Sequence, residues 1–236
     1  MLDKSLPYQG FIMKMRREKL AALQVPALPP GYRFHLYEDG DEAHWARLES
    51  AVLEFPDAEK ALAYFNHDYR DPFRQELHRR CAFVSTDAGL PVATATAWFM
   101  ESSMGHQAWL QWISTDPAHA GKGLGRAVIA KALSLYPSTG PATDIYLHTQ
   151  TWSHKAVYLY HRFGFEFSLM PAIKTAWHLP PGYRIMSNSP VEALEVLKAV
   201  FTPELLAELR AQAEPPTPEE LTEHPVQPPF PPDYLP

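Results

Sequence analysis

A glycine-rich turn between a predicted strand and a predicted helix restricts the fold of this chain more than any other feature. Residues 108–115 have the composition of a strand, the turn reads AGKGLGR at 120–126, and the following apolar residues recur at helical spacing: Val128, Ile129, Ala132 and Leu133. Glycine lacks a Cβ atom, so successive N–H groups in such a turn can point into one concavity, and the helix N-terminus adds further unpaired donors. The segment predicts an anion-binding turn, with a tight turn that binds nothing as the simpler alternative.

Two common nucleotide-binding turns do not fit this segment. A Walker loop requires Ser or Thr after its Gly-Lys pair, whereas Gly123 follows Lys122 and Leu124 comes next. A Rossmann turn requires a third glycine three residues after a Gly-x-Gly pair. After the pair Gly123 and Gly125, that position is Val128. Neither of these two classes of nucleotide site fits the turn.

Strand and helix signals surround the turn. Residues 32–37 alternate as a half-buried strand, which we take as the first strand of the core, and residues 81–85, 92–100 and 108–115 predict an antiparallel meander that bends at Met104-Gly105-His106. Between residues 37 and 81 three helices are expected, capped by Asp39 or Asp41, by Asp57, and at Asp71-Pro72.

A second segment, about thirty residues after the turn, carries a further pattern. Residues 144–149 predict a strand, and 153–165 read SHKAVYLYHRFGF, a helix that Ser153 can cap and Gly164 can end. Together the two segments resemble the GNAT acetyltransferase superfamily, which has Arg/Gln-x-x-Gly-x-Gly/Ala opening one helix and Asn-x-x-Ala-x-x-Leu-Tyr-x-x-x-Gly-Phe over the other. Five positions of the second pattern match in type and spacing: Ala156, Leu159, Tyr160, Gly164 and Phe165. Ala120 and Ser153 depart from the family pattern, and both departures concern coenzyme binding.

The resemblance covers residues 32–168 and implies an α/β (α+β) fold with a mixed, mostly antiparallel sheet flanked by helices. We accordingly divide the chain into an N-terminal arm at 1–30, an acetyltransferase domain at 31–170, and a proline-rich extension at 171–236. Of the 24 prolines, 14 lie at or beyond Pro171, so we expect an extended or loosely ordered end. Short helices are expected to start at Ser189-Pro190, Thr202-Pro203 and Thr217-Pro218.

The resemblance also implies acetyl-coenzyme A as co-substrate. Its pantetheine arm would enter between two splayed parallel strands, 110–115 and 146–149, and pair with the backbone of Ile113, Ser114 and Thr115. The expected pyrophosphate site consists of Ala120, Gly121, Lys122, Gly123, Leu124, Gly125 and Arg126. Ser153 would donate a hydrogen bond to the pantetheine arm.

The family places a tyrosine hydroxyl near the coenzyme sulfur, so Tyr160 is expected to protonate the leaving thiolate, with simple packing against the sheet as the alternative. A base must also neutralise the amine, and the candidates are Glu101, Glu54 and His148, of which Glu101 ranks first because it ends the long strand beside the site. A solvated charge at the strand end is the alternative for Glu101, and a core histidine is the alternative for His148. Trp98, Trp109, Trp112 and Trp152 either line an aromatic acceptor pocket or pack in the core.

Composition limits the partners. The net charge of −6 argues against nucleic acid, and no apolar run approaches the length of a membrane span, so we expect a cytoplasmic protein without a membrane partner. The single cysteine, Cys81, predicts a buried apolar side chain, and the histidines lack the paired spacing of a metal site. We expect an N-acetyltransferase for a small-molecule amine, and the extension suggests a homodimer. A protein or peptide amine as acceptor, and a coenzyme-binding module without activity, remain open.

Overall fold

The computed structural model describes residues 2–178 and 181–226. Nine strands in these residues form one sheet: β1 (Gly10–Met15), β2 (Tyr32–Leu36), β3 (Cys81–Thr86), β4 (Pro91–Ser102), β5 (Gly105–Thr115), β6 (Ile145–Gln150), β7 (Glu166–Phe167), β8 (Ile173–His178) and β9 (Pro181–Met186). The main path runs β2-β3-β4-β5-β6-β1-β7, and β8 pairs with both β4 and β9. Among these pairs only β5 and β6 are parallel, so the predicted mixed, mostly antiparallel sheet is confirmed.

Eight α-helices accompany the sheet in the described residues: α1 (Asp41–Ala51), α2 (Ala58–Phe65), α3 (Asp71–Arg80), α4 (Leu124–Leu133), the short α5 (Tyr136–Thr139), α6 (His154–Arg162), α7 (Pro190–Leu197) and α8 (Pro203–Ala211). Asp57 caps α2 as predicted, because its carboxylate accepts a hydrogen bond from the Lys60 amide. The cap predicted for α1 is wrong. Gly40 holds the N-cap position at φ 108°, where an aspartate would be strained, and Asp41 is the first helical residue.

The two faces of the sheet carry separate apolar clusters. Ala93, Ala95 and Ala97 of β4 face the cluster that contains α4, and the predicted inner face of that helix is completely buried there. Their small side chains let α4 lie close to the sheet. The opposite face packs against α1, α2 and α3 through aromatic residues, and Cys81 lies buried in that cluster. Burial raises the pKa of the Cys81 thiol to about 12, so the prediction of an apolar role is confirmed.

The strand at residues 32–36, which we expected to be the first strand of the core, is the second, β2. β1, which lies in the segment assigned to an N-terminal arm, is paired with β6 on one side and β7 on the other, and its six residues are all buried. Its Lys14 side chain is fully buried because the carboxylates of Glu220 and Glu214 lie 2.9 and 3.1 Å from Nζ. These partners come from the far end of the chain, so the arm boundary at residue 30 does not separate β1 from the sheet.

The region predicted as an extension with short helices also contains a hairpin, β8–β9, and Ser102 at the end of β4 pairs with Thr175. The predicted helices α7 and α8 are present, and Thr202 caps the second by accepting from Leu205. At Thr217 the structure has only a turn. The expected capping box does form there, since Glu220 accepts from the Thr217 amide and Thr217 Oγ1 accepts from the Glu220 amide. The extended end predicted from proline content lies outside the described residues from position 227 onward.

Candidate active site

A gap opens between the parallel strands β5 and β6. They pair at Ala108–Ile145 and Trp109–Tyr146, and no pairing between them continues beyond those positions. Backbone groups of β5 from Leu110 onward therefore face β6 without a partner strand on that side. The predicted splaying of segments 110–115 and 146–149 is confirmed.

A bulge in β5 coincides with the start of this gap. Thr94 of β4 pairs with Ser114 and Thr96 pairs with Gln111, so β5 has an extra residue between these pairs. Within the bulge, Trp112 has φ 51°, a strained value for a residue other than glycine. A bulge bends its strand and changes the direction in which side chains point. Here it curves β5 away from β6 at the point where the two strands separate.

The gap leads into a cavity of about 450 Å³. Its lining includes residues of α1, α2, the 66–70 turn, α3, β4, β5, β6, α6, β8 and β9. Four carboxyl groups are among them: Glu49, Glu54, Asp68 and Glu101. Aromatic side chains form much of the remaining wall: Tyr8, Tyr64, Tyr69, Phe73, Trp98, Phe99, Trp109, Trp112 and Tyr160. Of the four tryptophans proposed for this pocket, Trp152 is not in the wall, and its Nε1 donates to the Leu6 carbonyl oxygen instead.

The glycine turn lies at the carboxyl end of β5. Gly121 and Gly123 have φ values of 76° and 79°, and a Cβ atom on either would meet nothing within 4 Å. The N–H groups of 121–123 take part in none of the hydrogen bonds found in the described residues, and the first turn of α4 has no partners within the helix. Consecutive amides are thus available to a ligand beside an open surface, as an anion site requires.

Other members of the predicted turn have different surroundings. Gly125 packs against β5, because a Cβ there would lie 3.1 Å from Thr115 Oγ1. Lys122 donates from Nζ to the Tyr32 hydroxyl at 2.8 Å and lies over that ring. Arg126 is exposed and makes no ion pair with the described residues, and Ala120 is exposed. A cation is therefore available at the N-terminal turn of α4 although the family's Arg or Gln is missing at position 120.

Helix α6 presents a row of side chains to the cavity. Ser153, Ala156 and Tyr160 line it, and the spacing of three and four residues places them on one helix face. Ser153 occupies the N-cap position but its side chain does not cap the helix, so its hydroxyl is not used by the first turn. The Tyr160 hydroxyl makes no hydrogen bond in the described part of the chain, and the residue is 5% exposed. Burial raises the pKa of this phenol, and nearby Glu54 and Glu49 raise it further.

Sequence reasoning missed Glu49. This residue of α1 is 1% exposed, its Oε1 atom has no hydrogen-bond partner, and it lines the cavity beside Ser114 of β5. Burial raises the pKa of its carboxyl group to about 8, with the Ser114 hydroxyl lowering it and Glu54 raising it. A signal was present, because Trp45, Leu48, Glu49 and Val52 follow the spacing of a buried helix face, where an acidic residue is out of place.

The three bases proposed from the sequence all line this cavity. Glu101 pairs with His106 across the β4–β5 turn. Glu54 accepts a hydrogen bond from Gln150 Nε2 at 3.2 Å, and burial raises its pKa. His148 is accessible from the cavity, and its Nε2 lies 3.2 Å from the Ser187 carbonyl oxygen. The surrounding protein lowers the pKa of His148, because burial disfavours the charged ring.

The described residues contain neither a membrane-spanning helix nor a metal-binding cluster. None of the helices there is long and apolar enough to cross a bilayer. His, Cys, Asp and Glu side chains in residues 2–178 and 181–226 do not gather in groups of three or more that could hold a metal ion.

Comparison with known families agrees with this site. Residues 36–165, more than half of the chain, match the sequence model described as the acetyltransferase (GNAT) family. This chain belongs to the GNAT acetyltransferase family. The matched region contains both motif segments, the splayed strands and Glu49. No curated protein matches the chain significantly.

A solved structure with a TM-score above 0.5 supports the GNAT fold. The chain is 16% identical to a GCN5-related N-acetyltransferase from Sphaerobacter thermophilus, with a TM-score of 0.53 over 78% of this chain and 53% of that one. A Drosophila protein is 15% identical, with a TM-score of 0.49 over 70% of this chain and 50% of that one. A GCN5-related N-acetyltransferase from Kribbella flavida is 20% identical to this chain, with a TM-score of 0.45 over 68% of this chain and 56% of that one. This chain spans about half the length of each of these proteins.

Proposed function

We propose that this protein transfers the acetyl group of acetyl-coenzyme A to a primary amine on a small molecule. The observation that supports this most strongly is the continuity of the site. Unpaired amides at 121–123 and at the start of α4 lie at the end of β5, and the unpaired edge of the same strand runs from there into the cavity. A diphosphate at the turn and an extended chain along β5 would fill both features.

The residues present fit the coenzyme in its two parts. The amides of Gly121, Gly123 and the first turn of α4 would hold the diphosphate, assisted by the exposed Arg126. The backbone of Ile113 to Thr115 would pair with the amides of the pantetheine arm, and the uncommitted Ser153 hydroxyl would hydrogen-bond to it. Acetyl-coenzyme A supplies an acetyl group activated as a thioester. That group would end beside Tyr160.

The acceptor amine must lose a proton before it can attack. An amine with a pKa of about 10.4 is neutral in roughly one molecule in a few thousand at pH 7, which corresponds to about 4 to 5 kcal/mol. Glu49 is suited to accept this proton because burial has raised its pKa to about 8 and Oε1 has no other partner. Glu101, which ranks first on sequence, stays a candidate, but His106 already holds its carboxylate.

The departing thiolate requires a proton, and Tyr160 is placed to give it. Its hydroxyl has no competing partner in the described residues, and its ring is fixed by α6 and by edge contact with Phe165. In the complete reaction the amine nitrogen bonds to the acetyl carbon and the C–S bond breaks. Glu49 takes the proton that the ammonium group loses before attack, Tyr160 gives its proton to sulfur, and the proton that the nitrogen loses after attack returns to the Tyr160 phenolate.

Calorimetry and product analysis together test this function. The purified protein is titrated with acetyl-coenzyme A, and a panel of primary amines is then incubated with both and examined by mass spectrometry for a gain of one acetyl group. We expect binding of the coenzyme and acetylation of at least one small amine. Coenzyme binding without any acetylated product would favour a module without activity, which the departures at Ala120 and Ser153 also favour. Acetylation of peptide lysines alone would favour a protein acceptor.

A further inference from the structure

One wall of the cavity is a continuous surface of aromatic rings. The Trp112 ring lies 5.3 Å from Tyr64, and Tyr69 lies 4.9 Å from Trp98, measured between ring centroids. Trp98 in turn stacks on Phe99 at 5.0 Å. All five residues line the cavity. Trp112 Nε1 donates to the Tyr69 hydroxyl at 2.6 Å, which donates to Gln111 at 2.7 Å, so these rings are fixed before any ligand arrives.

The two ends of this wall differ in their carboxyl groups. At the Trp112 end, burial and then Glu54 raise the pKa of Glu49, and burial raises the pKa of Glu54, which Lys4 lowers. At the Phe99 end, Glu101 is paired with His106. Arg184 lies on β9 opposite Thr175, whose strand pairs with the residue after Glu101. The Trp112 end therefore has the buried Glu49 carboxyl group, whose Oε1 atom has no hydrogen-bond partner in the described residues, whereas the carboxylate at the Phe99 end is already held by His106.

From this arrangement we propose that the acceptor is a small molecule with one primary amine, joined to an aromatic ring by a short chain and carrying no second charge. The proposal deepens the proposed function and rests on it. The ammonium group lies at Glu49 and Glu54 beside the thioester, and the ring lies edge-to-face against Tyr64 and Trp112. The Oε1 atom of Glu49, which is 99% buried and has no partner, marks the place of the nitrogen.

Other amines fit this wall less well. A polyamine would bring its second ammonium group to the Phe99 end, where the positively charged Arg184 lines the cavity and would oppose it. An aminosugar would place several hydroxyl groups against a wall whose Trp112 Nε1 and Tyr69 hydroxyl already hydrogen-bond within the protein, which is unfavourable. An aromatic ring gains contact area and a favourable edge-to-face geometry, worth about 0.5–1.5 kcal/mol beyond burial.

The test compares matched amines as substrates with acetyl-coenzyme A: 2-phenylethylamine, 2-cyclohexylethylamine, ethylamine and spermidine. The first two carry the same charge on the same linker, so their ratio isolates the aromatic ring. We expect kcat/KM for 2-phenylethylamine to exceed that for 2-cyclohexylethylamine by roughly 2- to 12-fold. It should exceed the values for ethylamine and spermidine by about tenfold or more.

A variant tests the wall itself. Tyr64→Leu keeps an apolar side chain but removes a ring beside Trp112, and should reduce the ratio of the two matched amines toward one. A folding defect lowers both rates and leaves their ratio unchanged, so the ratio reports contact with the acceptor. Tyr158→Leu is the control, because Tyr158 is 47% exposed on α6 and is not part of the cavity wall.

Calorimetry of the same amines with the coenzyme-free protein separates this proposal from the proposed function. Acetylation with no preference for the aromatic amine, or with preference for spermidine, would overturn the acceptor class while the transferase function stands. Preferential binding of 2-phenylethylamine without acetylation would support the acceptor class and reject the transferase function. If none of these amines binds or is acetylated, the acceptor class is rejected.

Discussion

Glu49 and Tyr160 line one cavity from two different helices, α1 and α6, and the carboxyl group of the first contributes to the raised pKa of the second. Each is almost completely buried, and the functional atoms of each, Oε1 and the hydroxyl oxygen, have no hydrogen-bond partner in the described residues. A proton acceptor and a proton donor thus face the same space, as direct transfer of an acyl group requires.

Tyr160→Phe removes the proposed acid and little else, because the hydroxyl makes no hydrogen bond with the described residues. We expect kcat to fall by roughly 100-fold or more while the Kd for acetyl-coenzyme A changes less than about twofold. Steady-state kinetics and calorimetry measure the two quantities. Unchanged kcat would mean that the tyrosine only packs against the sheet.

The pH dependence of the rate depends on Glu49. As a base it must be deprotonated, so kcat/KM should rise with pH and show an inflection near 8, its raised pKa. In Glu49→Gln the rate should fall and the inflection should disappear. Glu101→Gln is the matched comparison on the same cavity. If that variant loses the inflection and Glu49→Gln keeps it, Glu101 is the base.

Stability gives a second readout for Glu49 that is independent of activity. A carboxyl group whose pKa is raised from 4.5 to about 8 disfavours the folded state once it ionises. The wild-type protein should therefore lose stability relative to Glu49→Gln as pH rises from about 4.5 through about 8, by roughly 3 to 5 kcal/mol in total. Urea unfolding at pH 5 and pH 9 measures the difference. Equal pH dependence in the two proteins would show that Glu49 is not buried as described.

Gly123→Ala should weaken coenzyme binding. Its φ of 79° would put an alanine under strain of about 1 kcal/mol or more. Relief of that strain would rotate the backbone amides of 121–123 away from the ligand. Gly31→Ala is a matched control, with φ 91° and likewise nothing within 4 Å of the added Cβ. Both variants should lose similar stability, but only Gly123→Ala should raise the coenzyme Kd. An equal effect on Kd would indicate general destabilisation.

Restoring the family's charge at position 120 should strengthen the site. Ala120→Arg places a guanidinium beside the diphosphate and should lower the Kd for coenzyme A by about tenfold at low salt, with a smaller gain at high salt. Ala118→Arg, an exposed alanine two residues earlier, controls for a general increase in positive charge. A gain of the same size in both variants would argue against a diphosphate at this turn.

The parts of this site that the sequence predicted are those determined by nearby residues. The glycine turn and the α6 pattern each follow from local backbone requirements, so positive φ at Gly121, Gly123 and Gly164 could be expected before the structure was known. The cap of α1 failed because two aspartates flank Gly40 and either could have capped the helix.

The parts that were missed depend on residues distant in sequence. β1 contains Lys14, which a sheet buries only because Glu214 and Glu220 reach it from the other end of the chain. Glu49 is a similar case, since its burial is visible only after α1 has packed beside the bulge at Trp112. Its position on the apolar face of α1 was the one local sign, and functional sites are where such conflicts are expected.

The central claim is that backbone amides at the start of α4 hold a diphosphate, and nuclear magnetic resonance observes those amides directly. The ¹⁵N-labelled protein is titrated with coenzyme A while the amide resonances of Gly121, Gly123 and Gly125 are followed, with Gly31 and Gly89 as distant references. We expect large shifts for the first three resonances and small shifts for the references. Saturable binding of coenzyme A with the three resonances unmoved would contradict the central claim.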